Sequence, residues 1–181
     1  GSLLYNGSFE QPIIGSGFGW RISKAKGVSW KKGDYVSGLV ITFDGTENVI
    51  FQLAQTVPLV PGKYVFSGSY ATETLTTDQR PFWSISGTQC VGLKSEGLMM
   101  VPPNEHQTDF IIRFTVPNAC EAIQIGLYRN KSYHFDNKIF GKITVNHLRI
   151  TGEGQDLSAG IKREASSSTD KKKKSTRINI N

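Results

Sequence analysis

Along most of this chain, apolar residues alternate with polar ones, and this period of two constrains the fold more than any other feature. Three segments show it most clearly: Lys63–Ala71, Asp109–Val116 and Ala122–Arg129. Successive side chains of a β-strand point to opposite faces of the sheet. The pattern therefore predicts strands with one face on a core and the other face turned outward.

Further segments of the same kind are spread over the first 152 residues. We expect further strands at Phe18–Ser23, Gly27–Lys31, Leu39–Phe43, Val49–Val57, Phe82–Ser86 and Lys142–Thr151. Turn signals such as Asp44-Gly45 and Pro61-Gly62 separate them. About eight to ten short strands without a helical segment predict an all-β sandwich or barrel. We favour an antiparallel two-sheet β-sandwich of the jelly-roll type, because it leaves few open edges.

The last predicted strand changes phase near its middle. Ile143 and Val145 are in one phase, whereas Leu148 continues in the opposite phase after Asn146-His147. A β-bulge at that pair would return the apolar side chains to the core. Because bulges re-aim side chains, we expect Asn146 to point away from the regular direction.

The composition changes abruptly after Gly152. Residues 153–181 contain seven Lys or Arg against four acidic residues, with a lysine block at Lys171–Lys174. Such a polar segment buries too little apolar surface to offset its chain entropy. We therefore predict a sandwich domain over 1–152 and a basic, disordered tail over 153–181. The lysine block is either a weak electrostatic contact to an anionic surface or a solubilising coil, and we favour the coil.

Charge and motifs argue against two classes of function. Residues 1–152 contain 14 basic and 11 acidic residues, so the predicted domain is only mildly basic and we expect no nucleic-acid partner. The sequence contains no nucleophile elbow, phosphate loop or zinc-protease motif. The histidines His106, His134 and His147 have no serine or cysteine placed beside them. We predict that the chain is not an enzyme.

The start of the chain, Leu3–Glu10 followed by Phe18-Gly19-Trp20-Arg21, resembles carbohydrate-binding modules of families 4 and 9. Three further segments follow in the family's order: Gln55-Thr56-Val57, Pro61-Gly62-Lys63-Tyr64 and Gly141–Ile150. Other parts of the chain resemble a bacterial branch of this superfamily that is associated with the cell envelope and exopolysaccharides. They are Leu75–Asp78, Phe82–Ile85, Phe114–Pro117 and Cys120. The resemblance covers Leu3 to about Gly152. It implies a galactose-binding-like jelly roll, no catalytic residues, and a secreted, periplasmic or cell-envelope location.

The resemblance also raises the question of a structural calcium ion. Relatives carry Asp-Asp-Val before the final apolar residues, and that acidic pair helps to hold calcium together with the early glutamate. Here the position reads Asn146-His147-Leu148, so the candidate ligands are Glu10 and Asn146. Calcium prefers several carboxylate oxygens, and we expect at most a weak site. We predict no other cofactor. The two cysteines, Cys90 and Cys120, are compatible with a disulfide or with two free thiols.

Outward-facing aromatic residues mark the candidate ligand site. Proteins bind sugars with flat aromatic rings and a few planar hydrogen-bonding side chains. We expect Trp20 in the core, whereas one of the neighbours Phe82 and Trp83 must face outward. The candidate ligand-binding residues are Trp83, Phe82, Arg80, Tyr128, Gln124 and Arg113. The alternative is that these aromatics only stiffen packing between strands.

These observations predict a non-catalytic, monomeric carbohydrate-binding module of a secreted or envelope protein, with a glycan or polysaccharide as partner. The alternative is a structural or adhesion domain that contacts a protein partner through a sheet edge or its loops. A recessed strip of aromatics would favour sugar, and a flat apolar patch would favour protein.

Overall fold

The computed structural model describes residues 1–35, 37–93, 96–99, 106–132 and 137–153. These residues contain ten β-strands. The strands are β1 (Arg21–Ile22), β2 (Val28–Lys32), β3 (Leu39–Glu47), β4 (Phe51–Pro58), β5 (Gly62–Thr77), β6 (Phe82–Gly87), β7 (Glu96–Met99), β8 (Thr108–Val116), β9 (Ala122–Arg129) and β10 (Lys138–Gly152). Most coincide with the predicted segments. β7 was not predicted, and β1 is shorter than expected.

The strands pair into two five-stranded antiparallel sheets. Sheet 1 has the order β1-β4-β9-β6-β7, and sheet 2 has the order β2-β3-β10-β5-β8. In both sheets a late strand lies between two early ones: β9 separates β4 from β6, and β10 separates β3 from β5. This interleaving confirms the predicted two-sheet, jelly-roll sandwich.

The core lies between the sheets and is built from the side chains that alternation turns inward. Sheet 1 contributes apolar residues such as Leu53, Ile125 and Leu127, and sheet 2 contributes residues such as Phe66 and Ile143. Trp20 is buried as predicted, with its ring stacked on Phe9 at 5.3 Å between centroids. Its indole Nε1 donates to the backbone oxygen of Asn6 at 2.9 Å, so the N-terminal segment is fastened to the core.

The predicted bulge in β10 is confirmed. The register of β10 against β5 shifts between Asn146 and Arg149, and His147 has a φ of +54°. The shift keeps both Val145 and Leu148 buried. The Asn146 side chain turns toward the β2–β3 connection, where its Nδ2 donates to the Ser37 backbone oxygen at 2.7 Å.

A disulfide joins Cys90 to Cys120, which settles the question that the sequence left open. It ties the connection after β6 to the turn before β9 across a separation of 30 residues. A Cβ atom at Gly87 would overlap the Cys90 Sγ and lie 3.1 Å from the Cys120 Sγ, so only glycine fits beside the bridge.

We expect the double substitution Cys90→Ala and Cys120→Ala to lower the free energy of unfolding by about 3–4 kcal/mol, because it releases a loop of that length in the unfolded chain. Urea denaturation of the oxidised wild type and the double variant measures the difference. Because both cysteines are replaced, the variant has no free thiol that could affect the measured free energy of unfolding. A loss below about 1 kcal/mol would contradict the prediction.

The last strand, β10, ends at Gly152, the residue after which the composition changes. Residues 154–181, including the block Lys171–Lys174, lie outside the described residues, so the disordered tail stays a prediction. Within the described ranges, no helix has the length and hydropathy that a membrane span requires.

Candidate functional site

The outer surface of sheet 1 carries the predicted site residues that the structure brings together. Direct cross-strand partners place its outward side chains in three rows across β4, β9 and β6. The rows are Gln52-Tyr128-Phe82, Ala54-Gly126-Ser84 and Thr56-Gln124-Ser86. Arg21 of β1 extends the middle row, because it pairs with Ala54. We call the surface formed by these rows and Arg21 the sheet-1 face.

The Tyr128 ring lies along its own strand. The Gln124 side chain, four residues earlier on the same face, opposes the rise in the pKa of the Tyr128 phenol, so the two side chains lie close together. The Cα atoms of residues four apart in a strand are separated by about 13 Å, so the two side chains must reach toward each other over Gly126. In the same row, Ala54 and Ser84 are buried although their side chains point outward. The Tyr128 side chain therefore lies over the middle row.

Glycine is required beneath this ring. A Cβ atom at Gly126 would overlap the backbone oxygen of Leu53 and approach the Ala54 Cα to 2.8 Å. An aromatic ring laid over a strand glycine covers backbone that would otherwise be poorly packed.

Phe82 extends the flat surface. It pairs directly with Tyr128 across β6 and β9, and the two rings stack with centroids 6.0 Å apart and an interplanar angle of 28°. Both side chains remain partly exposed. The pair forms a continuous, partly exposed apolar surface, which we call the platform and which suits contact with the C–H face of a sugar.

Polar groups flank the platform. The Arg21 Nη2 donates to the Thr56 Oγ1 at 2.9 Å, which holds the guanidinium against the sheet. Burial raises the pKa of the Tyr128 phenol, while the hydrogen bond to Gln124 and the positive charge of Arg21 oppose that shift. The phenol therefore keeps its proton at neutral pH. Together these groups present amide, hydroxyl and guanidinium hydrogen-bonding atoms beside the rings.

Two predicted site residues lie elsewhere. Trp83 is only 1% exposed and stacks on Phe110 in the core at 4.7 Å between centroids, so its assignment to the surface is wrong. The reason is parity: Phe82 takes the outward position, and its neighbour must face inward. Arg113 does face outward, but from β8 of sheet 2, where it forms an ion pair with Glu153 at 3.6 Å. It lies on the opposite side of the sandwich, so its assignment to this site is also wrong.

Arg80 lies at the margin of the sheet-1 face. It is half-buried in the connection between β5 and β6, two residues before Phe82. Its part in ligand binding stays a prediction. Sequence reasoning missed Arg21, although the signal was present: if Trp20 faces the core, the next residue of the strand faces outward.

A buried arginine supports the end of the site next to Phe82. Arg129, the last residue of β9, is fully buried. Its guanidinium donates to the backbone oxygens of Gln79 at 2.9 Å and Val49 at 2.8 Å, and to the Asn137 Oδ1 at 2.7 Å. Burial lowers the pKa of Arg129 from an ordinary value far above neutrality. Arg129 therefore links the β3–β4, β5–β6 and β9–β10 connections, and the β5–β6 connection leads into Phe82.

The residues proposed for calcium do not form a set that fits the ion. The Asn146 Nδ2 donates to both the backbone oxygen and the Oγ of Ser37, at 2.7 and 2.8 Å, and its Oδ1 accepts from the His147 N–H. An amide N–H₂ group thus faces the oxygens that a cation would need. Among the described residues, no three His, Cys, Asp or Glu side chains are grouped for a metal. Asn146 does not fit as a calcium ligand, and calcium near the exposed Glu10 stays a prediction.

Comparison with solved structures places the fold among carbohydrate-binding modules. A family 4 module superposes with a TM-score of 0.61 at 18% identity, covering 83% of this chain and 99% of its own. A family 61 module in complex with β-1,4-galactotriose gives 0.55 at 17% identity, covering 84% and 99%. The active domain of tailspike protein 4 of bacteriophage CBA120 gives 0.59 at 18% identity, covering 83% of this chain but 21% of its own. No family model matches the sequence, and no curated protein matches it. At these identities the similarity establishes the two-sheet jelly-roll fold alone.

Proposed function

We propose that this chain is a non-catalytic carbohydrate-binding module that holds a glycan on the sheet-1 face. The observation that carries the proposal is the stacked, partly exposed pair of Phe82 and Tyr128 on the sheet-1 face, with the Gln124 side chain and the charge of Arg21 close to Tyr128. Sugars present apolar C–H faces ringed by hydroxyl groups. A flat aromatic platform with planar hydrogen-bonding groups at its sides is complementary to that pattern.

Two further observations support this proposal. The family 61 module with a similar fold was solved with a bound galactotriose, so at least one neighbour of this shape holds an oligosaccharide. The Cys90–Cys120 disulfide is typical of proteins in an oxidising compartment. A secreted, periplasmic or envelope location is therefore part of the proposal.

A second candidate function rests on a different surface. Tyr5, Ile14 and Phe18 are 55%, 78% and 64% exposed, and they line a cleft of about 340 Å³ near the N-terminus together with Pro12. The polar atoms of Asn6 in this cleft are already bonded to Gln11, at 2.8 and 3.0 Å. An exposed apolar cleft with few free polar groups favours a protein partner over a sugar. A structural or adhesion domain remains the alternative on this ground.

Glycan-array screening followed by isothermal titration calorimetry tests the first candidate. We expect binding to at least one glycan, and we expect Phe82→Ala and Tyr128→Ala each to weaken it about tenfold or more, since each removes half of the platform. Phe140→Ala is the matched control, because Phe140 is 52% exposed on a strand of sheet 2. Unchanged affinity in both platform variants would overturn the site. An effect of Tyr5→Ala or Phe18→Ala instead would move the site to the N-terminal cleft.

A further inference from the structure

Arg21 is an exposed cation in a fixed position on the sheet-1 face. It belongs to β1, whose two residues pair with Ala54 and Leu53 of β4. The Thr56 hydroxyl holds one of its N–H groups at 2.9 Å. A guanidinium has five N–H donors, so most of them remain for a ligand. The side chain forms no ion pair with the residues that the structure describes.

The rest of the sheet-1 face carries no compensating negative charge. Its three rows contain Gln, Thr, Ser, Ala, Gly, Tyr and Phe, and Arg21 is their one charged member. By chain position, Asp78 belongs to the β5–β6 connection, which also carries Arg80, Glu121 precedes β9, and Glu96 begins β7 at the edge of the sheet. Among the side chains of the three rows and Arg21, an anionic ligand would meet a single positive group and no carboxylate.

The platform and the cation are close enough to serve one ligand. The charge of Arg21 acts on the Tyr128 phenol, and Arg21 extends the row that the Tyr128 ring covers. A carboxylate is planar and accepts two parallel N–H bonds from a guanidinium. A sugar that carries a carboxylate on its ring, such as a uronic acid, offers this group together with a C–H face for stacking.

Resting on the function proposed above, we propose that the sheet-1 face binds an acidic polysaccharide, with Arg21 holding the carboxylate of a uronic acid residue whose ring stacks on the Phe82–Tyr128 platform. Arg21 then determines specificity between acidic and neutral glycans, while the rings supply affinity that both kinds share.

Three acidic polysaccharides serve as probes: polygalacturonate, alginate and glucuronoxylan. Each is paired with its carboxyl-reduced form, which keeps the backbone and removes the charge. Calorimetry should show that at least one acidic form binds about tenfold or more tightly than its reduced partner. Arg21→Gln should abolish that difference and leave the reduced form's affinity unchanged.

Arg149→Gln is the control, because Arg149 is exposed on a strand of sheet 2 and its loss changes the net charge equally. Both variants keep the basic tail, so its attraction for polyanions cancels in the comparison. Equal binding of acidic and reduced forms, or binding of neutral glycans alone, would overturn the acidic specificity and leave the proposed function standing. Failure to bind any glycan, acidic or neutral, would overturn both.

Discussion

Replacing Arg129 with alanine should lower the free energy of unfolding by about 3–5 kcal/mol, because the change removes the donor from two buried oxygens. The guanidinium donates to the Val49 carbonyl and to the Asn137 Oδ1, and it shares the Gln79 carbonyl with the Thr77 hydroxyl. A buried acceptor that loses its partner costs roughly 1–3 kcal/mol. Water cannot readily replace the side chain, since Arg129 is fully buried.

Urea denaturation monitored by tryptophan fluorescence measures this loss. Arg149→Ala is the matched control, because Arg149 is exposed, and we expect a change within about 0.5 kcal/mol. Arg129→Lys should also destabilise, since one ammonium group cannot reach acceptors on three connections. If Arg129→Ala lost no more than Arg149→Ala, the cluster would not hold these connections together.

The neighbours Phe82 and Trp83 should behave as opposites. Trp83→Ala should cost about 3–5 kcal/mol of stability, because it opens a cavity between Phe66 and Phe110. The indole Nε1 has no hydrogen-bond partner in the described part of the chain, so the loss is one of packing. Phe82→Ala should cost much less stability, since Phe82 lies at the surface, and its effect should appear in glycan affinity.

Paired urea denaturation and titration of the two variants distinguish these roles. Trp83→Phe serves as a milder core substitution that keeps the fold measurable if the alanine variant fails to express. We expect folded Trp83→Phe to retain glycan affinity within about twofold, since the side chain does not reach the surface. A loss of affinity in Trp83→Phe as large as that in Phe82→Ala would contradict the inward assignment.

The strands and the bulge were predictable because alternation is a local property. The phase change at Asn146-His147 located the bulge to the residue, since only an inserted residue keeps Val145 and Leu148 on the same side. Parity also showed that Tyr128 and Gln124 face outward, which the structure confirms.

The alternation of side chains along a strand does not predict which of the two sheets the strand joins. Arg113 faces outward as predicted, but it faces outward from the other sheet, because sheet membership depends on pairing between distant segments. The role of Arg129 was missed for the same reason. Arg129 is in phase with Leu127, so the alternation places its charged side chain in the core. Its hydrogen-bond acceptors lie in connections between strands, up to 80 residues away in sequence, and no local sequence pattern indicates them.

The placement of Tyr128 over Gly126 has a consequence for binding thermodynamics. A ring that lies close to Gln124 and stacks on Phe82 has already lost part of its rotational freedom in the unliganded protein. A sugar that stacks on it would immobilise little more of the side chain, so the unfavourable entropy of ordering the surface is largely absent at the moment of association.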